Sequence, residues 1–123
     1  MKIVLATDGS DHSESAAKFL SKLRLTPEDE IIIIHAISWV PIMHEWGALF
    51  EDFKEIREEI VPRILDAAED ALQPCQAAIT RVFAENYPDK AIIDTAKTSK
   101  ADMIVLGARG VKGIVTHLVG SIT

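Results

Sequence analysis

Cysteine is almost missing from this chain of 123 residues. Cys75 stands alone, so no intrachain disulfide can form, and the natural reading is a reducing compartment. Basic residues are outnumbered, 13 Lys and Arg against 19 Asp and Glu, for a net charge of −6. That balance argues against a nucleic-acid surface, which needs clustered positive charge. No apolar run is long enough to span a bilayer. Met1-Lys2-Ile3-Val4 leads straight into a strand pattern without a charged leader or cleavage site, so a cytoplasmic, non-membrane protein is expected. Neither a Walker A sequence nor a Gly-x-Gly-x-x-Gly fingerprint occurs, which counts against a P-loop NTPase and an ordinary dinucleotide site. The four histidines, His12, His35, His44 and His117, have no metal-ligand spacing. His35 reads as packed or structural, and no catalytic residue stands out.

What is present is ordinary globular composition, 48% hydrophobic and 26% charged, in a single-domain length spanning residues 1–123. Residues 2–7 read as a first strand, followed by Ser10 and Asp11 as N-cap candidates. Ala16, Ala17, Phe19, Leu20 and Leu23 then recur at helical spacing. Ile31 to Ile34 continue through His35-Ala36-Ile37; a β-branched run without alternation suggests a strand buried on both faces. Residues 38–49, with Trp39 and Trp46, read as a loop or short lid. A long amphipathic helix is expected from Phe50 to Leu72, its apolar face carrying Phe53, Ile56, Ile60, Ile64, Leu65 and Ala68, with Pro62 kinking or interrupting it. Ala77 to Ala84 predicts a third strand, Asn86-Tyr87-Pro88 a turn, Ala91 to Thr98 a helix and Met103 to Leu106 a fourth strand. A last helix is expected from Ile114 through Thr123. Strands alternating with helices predict an α/β fold, a Rossmann-like open parallel sheet with helices on both faces. The chain reads as stopping before a terminal strand, which would take roughly 15–20 more residues at mean element lengths. The fourth strand would then present an unpaired edge.

The densest signal is glycine. Gly107-Ala108-Arg109-Gly110 follows the fourth strand, and Gly120-Ser121-Ile122-Thr123 comes nine residues later. Glycines at a strand-to-loop junction let backbone N–H groups approach an anion without a Cβ in the way. Ser121 adds a hydroxyl donor, and Arg109 or Lys112 could add charge or be solvated loop cations. The competing explanation is that Gly107 and Gly110 serve a tight loop and Gly120 permits close helix packing. A second junction, Ala6-Thr7-Asp8-Gly9-Ser10, lies after strand one, where Asp8 could equally make an Asx-turn. In an open parallel sheet ligands bind outside the carboxyl ends of strands, and Asp8, Ala36 and Gly107 all fall at such ends.

The Gly-x2-Gly-x9-Gly-Ser spacing, Ala6-Thr7-Asp8-Gly9-Ser10 after strand one and His35-Ala36-Ile37 ending strand two together resemble the universal stress protein family, in its ATP-binding branch. The resemblance covers the whole chain in element order apart from residues 38–53. It implies a sheet in the order 3-2-1-4-5, the last strand missing here, with ATP between strands one and four. It further implies that Asp8 contacts the nucleoside, that Ala6 and Thr7 line the pocket and that Ala36 reads adenine through its backbone. Gly107, Gly110, Gly120 and Ser121 would hold ribose and phosphates, with Arg109 and Thr123 as further candidates and Mg accompanying the phosphates. The implied activity is a nucleotide-dependent regulatory switch in stress response, a homodimer in full-length form with an unknown protein partner, and at most slow ATP hydrolysis. The alternatives are a stress-linked interaction module without nucleotide and an adenylating enzyme. Asn86-Tyr87-Pro88 departs from the family's usual Gly-Asp-Pro; Asn tolerates positive φ, so the turn can survive, while Tyr87 alters the pocket rim.

Overall fold

The computed structural model describes residues 1–38, 50–107 and 116–118. Among the described residues five strands form one sheet: β1 Lys2–Ala6, β2 Glu30–Ala36, β3 Ala78–Ala84, β4 Met103–Val105 and β5 Thr116–Leu118, in the order β3-β2-β1-β4-β5. The first four are mutually parallel, with Ile3 to Ala6 opposite Ile31 to Ile34 and Ile3 to Leu5 opposite Met103 to Val105. Helices α1 Asp11–Ser21, α2 Phe50–Glu55, α3 Val61–Leu72 and α4 Pro88–Ser99 connect them.

The isoleucine run is buried on both sides, with exposures between 0% and 6% for Ile31 to Ile34. Alternate side chains of a strand point to opposite faces, so the sheet carries two apolar layers. Ile3, Leu5, Ile31 and Ile33 pack with Ala16, Ala17 and Leu20 of α1 and Val61, Leu65, Ala68 and Leu72 of α3. Val4, Ile32, Ile34 and Ile104 pack with Ala91 and Ala96 of α4. Each such aliphatic side chain contributes about 1.5–3 kcal/mol on full burial, so this double layer dominates the stability. Edge strand β3 is blunted by charge: Arg81 bonds Asp66 at 2.6 Å and Glu69 at 3.1 Å, which discourages pairing with another chain.

Three expectations need correction. The long helix is interrupted before Pro62 rather than at it: Ile56–Ile60 forms a π-helical turn and Pro62 enters the first turn of α3. A proline lacks the N–H that an α-helical interior requires. The wider turn, closed by Val61 N–H donating to the Ile56 carbonyl, lets a new helix start there. It also re-phases the apolar face, so Val61, Leu65, Ala68 and Leu72 are buried while Ile60 is 42% exposed. Phe19, counted among the helical apolar positions, is likewise exposed.

The C-terminal expectation of a helix from Ile114 with no further strand is also overturned at residues 116–118, the rest of that stretch lying outside the described residues. Thr116–Leu118 pairs antiparallel with β4, Val105 opposite Thr116 and Met103 opposite Leu118. The segment Ile114-Val115-Thr116 is β-branched, which favours extended backbone, and β4 offers an otherwise unpaired ladder to satisfy. The turn at Asn86-Tyr87-Pro88 survives, as expected, without positive φ at Asn86. Lys100, capping α4 at φ 58°, is the one non-glycine residue with positive φ among those described.

Candidate functional site

At the carboxyl ends of β1, β2 and β4 the α4-side apolar layer steps down in size. Val4 is followed on the same face by Ala6, and Ile34 by Ala36. The shrinkage leaves a cavity of about 270 Å³, lined by Ala6, Thr7, Asp8, Ser10, His12, Ser13, Ile34, Ala36, Pro88, Ile92, Leu106 and Gly107. This lies at the lower edge of the roughly 300–1,000 Å³ common for small-molecule pockets. Its walls are apolar below and polar at the rim.

The β1–α1 turn is locked from within. Ser10 caps α1, accepting from the Ser13 N–H at 3.3 Å through Oγ and from the Glu14 N–H at 3.0 Å through its carbonyl. This satisfies donors that a helix start leaves orphaned. Thr7 Oγ1 donates to Ser13 Oγ at 3.1 Å and accepts from Gly9 N–H at 3.2 Å, while Ser13 Oγ donates to the Ser10 carbonyl at 2.9 Å. Gly9 adopts φ +82°, where a side chain would be strained.

Asp8 makes the Asx-turn, its Oδ1 accepting from Ser10 N–H at 2.9 Å. Desolvation pushes its carboxyl up, but the Ser10 N–H bond and the nearby Ser10 and Ser13 hydroxyl dipoles outweigh it and hold the pKa below the ordinary 3.8. Turn-making and an exposed, ionised carboxylate at the cavity mouth are therefore compatible; Oδ1 serves the first and the charge serves the second.

Gly107 is required for space. A Cβ there would stand 2.7 Å from the His12 carbonyl carbon, 2.8 Å from its oxygen and 2.9 Å from Ser13 N. The glycine thus lets the end of β4 touch the first turn of α1 and closes one side of the cavity. His35, 7% exposed, sits on the opposite face of the sheet from the cavity: its ring stacks on Phe83 at 6.2 Å and its Nδ1 donates to the Thr7 carbonyl at 2.8 Å. A carbonyl can only accept, so Nδ1 carries the hydrogen.

Ala6, Thr7, Asp8, Ala36 and Gly107, five of the candidate residues read from the sequence, meet at this cavity. Arg109, Gly110, Gly120, Ser121 and Thr123 lie outside the described residues, as do Lys112 and the tryptophans. His12, Ser13, Ile34, Pro88, Ile92 and Leu106 line the cavity without having been singled out as site residues. Pro88 follows the flagged Asn86-Tyr87 turn, whose Tyr87 is 52% exposed, and Ser13 lies three residues beyond the cap Ser10. Among the described residues no cluster of three or more His, Cys, Asp or Glu could hold a metal ion. No helix among them is long and apolar enough to cross a membrane.

Comparison with known proteins agrees with this architecture. A universal stress protein of Methanocaldococcus jannaschii is 30% identical over 98% of this chain and 72% of its own length. One from Thermus aquaticus is 32% identical over 97% of this chain and 85% of its own. Among solved structures, a universal stress protein in complex with cAMP superimposes with a TM-score of 0.56 at 24% identity, covering 93% of this chain and 77% of that one. A universal stress protein family protein from Arabidopsis thaliana with AMP bound gives 0.61 at 17% identity, covering 90% of this chain and 78% of that one. The family model described as universal stress protein family matches residues 1–123, and the chain belongs to that family.

Proposed function

We propose that this chain binds an adenine nucleotide in the cavity at the carboxyl ends of β1, β2 and β4, and works as a nucleotide-dependent regulatory switch. One observation carries the reading: Ala6, Thr7, Asp8, Ala36 and Gly107, from three separate segments, converge on a single cavity. The occupied relatives, one with cAMP and one with AMP, support the ligand class.

The chemistry of the walls divides the ligand. Ile34, Ala36, Ile92 and Leu106 offer an apolar slot suited to a base, with small Ala side chains leaving room for it. The ionised Asp8 accepts hydrogen bonds from ribose hydroxyls or an amino group and repels phosphate, so phosphates are directed away from it. The glycine-bearing segment with Arg109, Gly110, Gly120, Ser121 and Thr123 is the proposed phosphate side, where backbone donors and one cation suit an anion. ATP is the expected nucleotide, with Mg neutralising its phosphates. Regulation rather than turnover is expected, in a cytoplasmic protein that pairs with a second copy or another protein according to its nucleotide state.

The test is mass spectrometry of the purified protein, native and then denatured, without added nucleotide. Copurified ATP, ADP or AMP with the oligomer mass supports the switch. An empty protein that also ignores added Mg-ATP, AMP and cAMP overturns it in favour of an interaction module without nucleotide.

A further inference from the structure

In a parallel sheet the ladder between two strands alternates regularly. Here Thr7 N–H donates to the Ile34 carbonyl at 2.9 Å. The next rung of that ladder would run from Ala36 N–H to the Thr7 carbonyl. That carbonyl is taken instead by the His35 imidazole, Nδ1 donating at 2.8 Å, and no bond from Ala36 to Thr7 forms among the described residues. On its other side, β3 is bonded through the neighbouring residue, Ile37 N–H donating to the Ala84 carbonyl at 3.0 Å. Ala36 N–H is thus left at the point where β1 and β2 diverge, beside a cavity that Ala6, Thr7 and Ala36 all line.

We propose that His35 is a positioning residue of the nucleotide pocket: by capping the Thr7 carbonyl from the far face of the sheet, it ends the β1–β2 ladder one rung early and frees the Ala36 N–H as a donor to the ligand. The proposal rests on the nucleotide reading for the ligand, but not for the uncapped amide. His35 touches no ligand itself. Its ring is held for the task by burial and by stacking on Phe83.

The experiment compares wild type with His35→Asn and His35→Phe. The Asn amide nitrogen occupies the place of imidazole Nδ1 and still reaches the Thr7 carbonyl, but it forfeits ring volume and stacking. Phe keeps volume and stacking and loses the donor. Mg-ATP affinity by calorimetry and melting temperature are measured together. His35→Phe is expected to bind about tenfold more weakly, the worth of one hydrogen bond, while melting near wild type. His35→Asn is expected to melt lower yet bind within about threefold of wild type, the smaller part of that hydrogen bond's worth. A purely structural histidine gives the reverse order, with affinity following stability, and that result overturns the proposal.

Amide hydrogen exchange without nucleotide gives a second, independent readout. Ala36 is expected to exchange much faster than Ile37 in wild type and to become protected in His35→Phe, where the Thr7 carbonyl is released to accept it. If all three proteins ignore Mg-ATP and AMP, the nucleotide reading fails and the exchange rates alone decide the capping claim. Protection of Ala36 in wild type overturns it.

Discussion

The two faces of the sheet are made by the same strands and end differently. On the face covered by α1 and α3, large side chains continue to the carboxyl ends: Ile3 and Leu5 on β1, Ile31 and Ile33 on β2, then His35 stacked on Phe83. On the face covered by α4, Val4 gives way to Ala6 and Ile34 to Ala36, and the layer opens into the cavity. Alternation along a strand lets one segment build a closed core and a vacant slot at once. Stability should reside mainly on the first face and ligand affinity on the second, and substitutions can separate them.

The largest effect is expected from Ile33→Ala. Ile33 is fully buried on the closed face, and truncation should cost about 2–5 kcal/mol by urea unfolding, with nucleotide affinity of the folded protein unchanged. Gly107→Ala comes next, since its Cβ would collide with the His12 backbone. A cost of about 1–3 kcal/mol is expected, here with weaker nucleotide binding, because the collision displaces a wall of the cavity. Ala36→Leu should sharpen the contrast: it fills open space, so stability should shift by less than about 1 kcal/mol while calorimetric binding of Mg-ATP is lost.

The smallest effect concerns pH. The Asp8 carboxyl has a folded-state pKa below its ordinary 3.8. Its contribution is therefore fully present well above that value and fades as pH falls through 3.8 toward the lower folded-state pKa. Asp8→Asn keeps an Asx-turn acceptor but does not titrate. Between pH 5 and pH 3 its urea midpoint should fall less steeply than that of wild type; parallel slopes would deny Asp8 this role.

Much of this contrast was legible in the residues themselves. Four consecutive isoleucines announce a strand buried on both faces, Ser10 announces a helix start, and Asp8, Ala36 and Gly107 fall at strand ends where a parallel sheet binds ligands. Other parts depend on distances that no local pattern encodes. That Gly107 is needed for a close approach to His12 requires knowing which helix lies against β4. The capping of Thr7 by His35 joins residues 28 apart, and the sequence reads only a packed histidine. The π-helical turn before Pro62 is one of several ways to accommodate the missing N–H, chosen by how α3 packs on α1 and on β2 and β3. The pairing of Thr116–Leu118 with β4 was missed because helical continuation and a β-branched extended segment compete over so short a stretch.

The most direct measurement is an amide NMR titration of the protein with Mg-ATP. Shifts concentrated at Ala6, Thr7, Asp8, Ala36 and Gly107, with Leu5, Ile33 and Leu65 unmoved, are the expected result. Saturating Mg-ATP without shifts at those five residues, or with shifts centred on the α1 and α3 face, would contradict the assignment of the cavity as the nucleotide site.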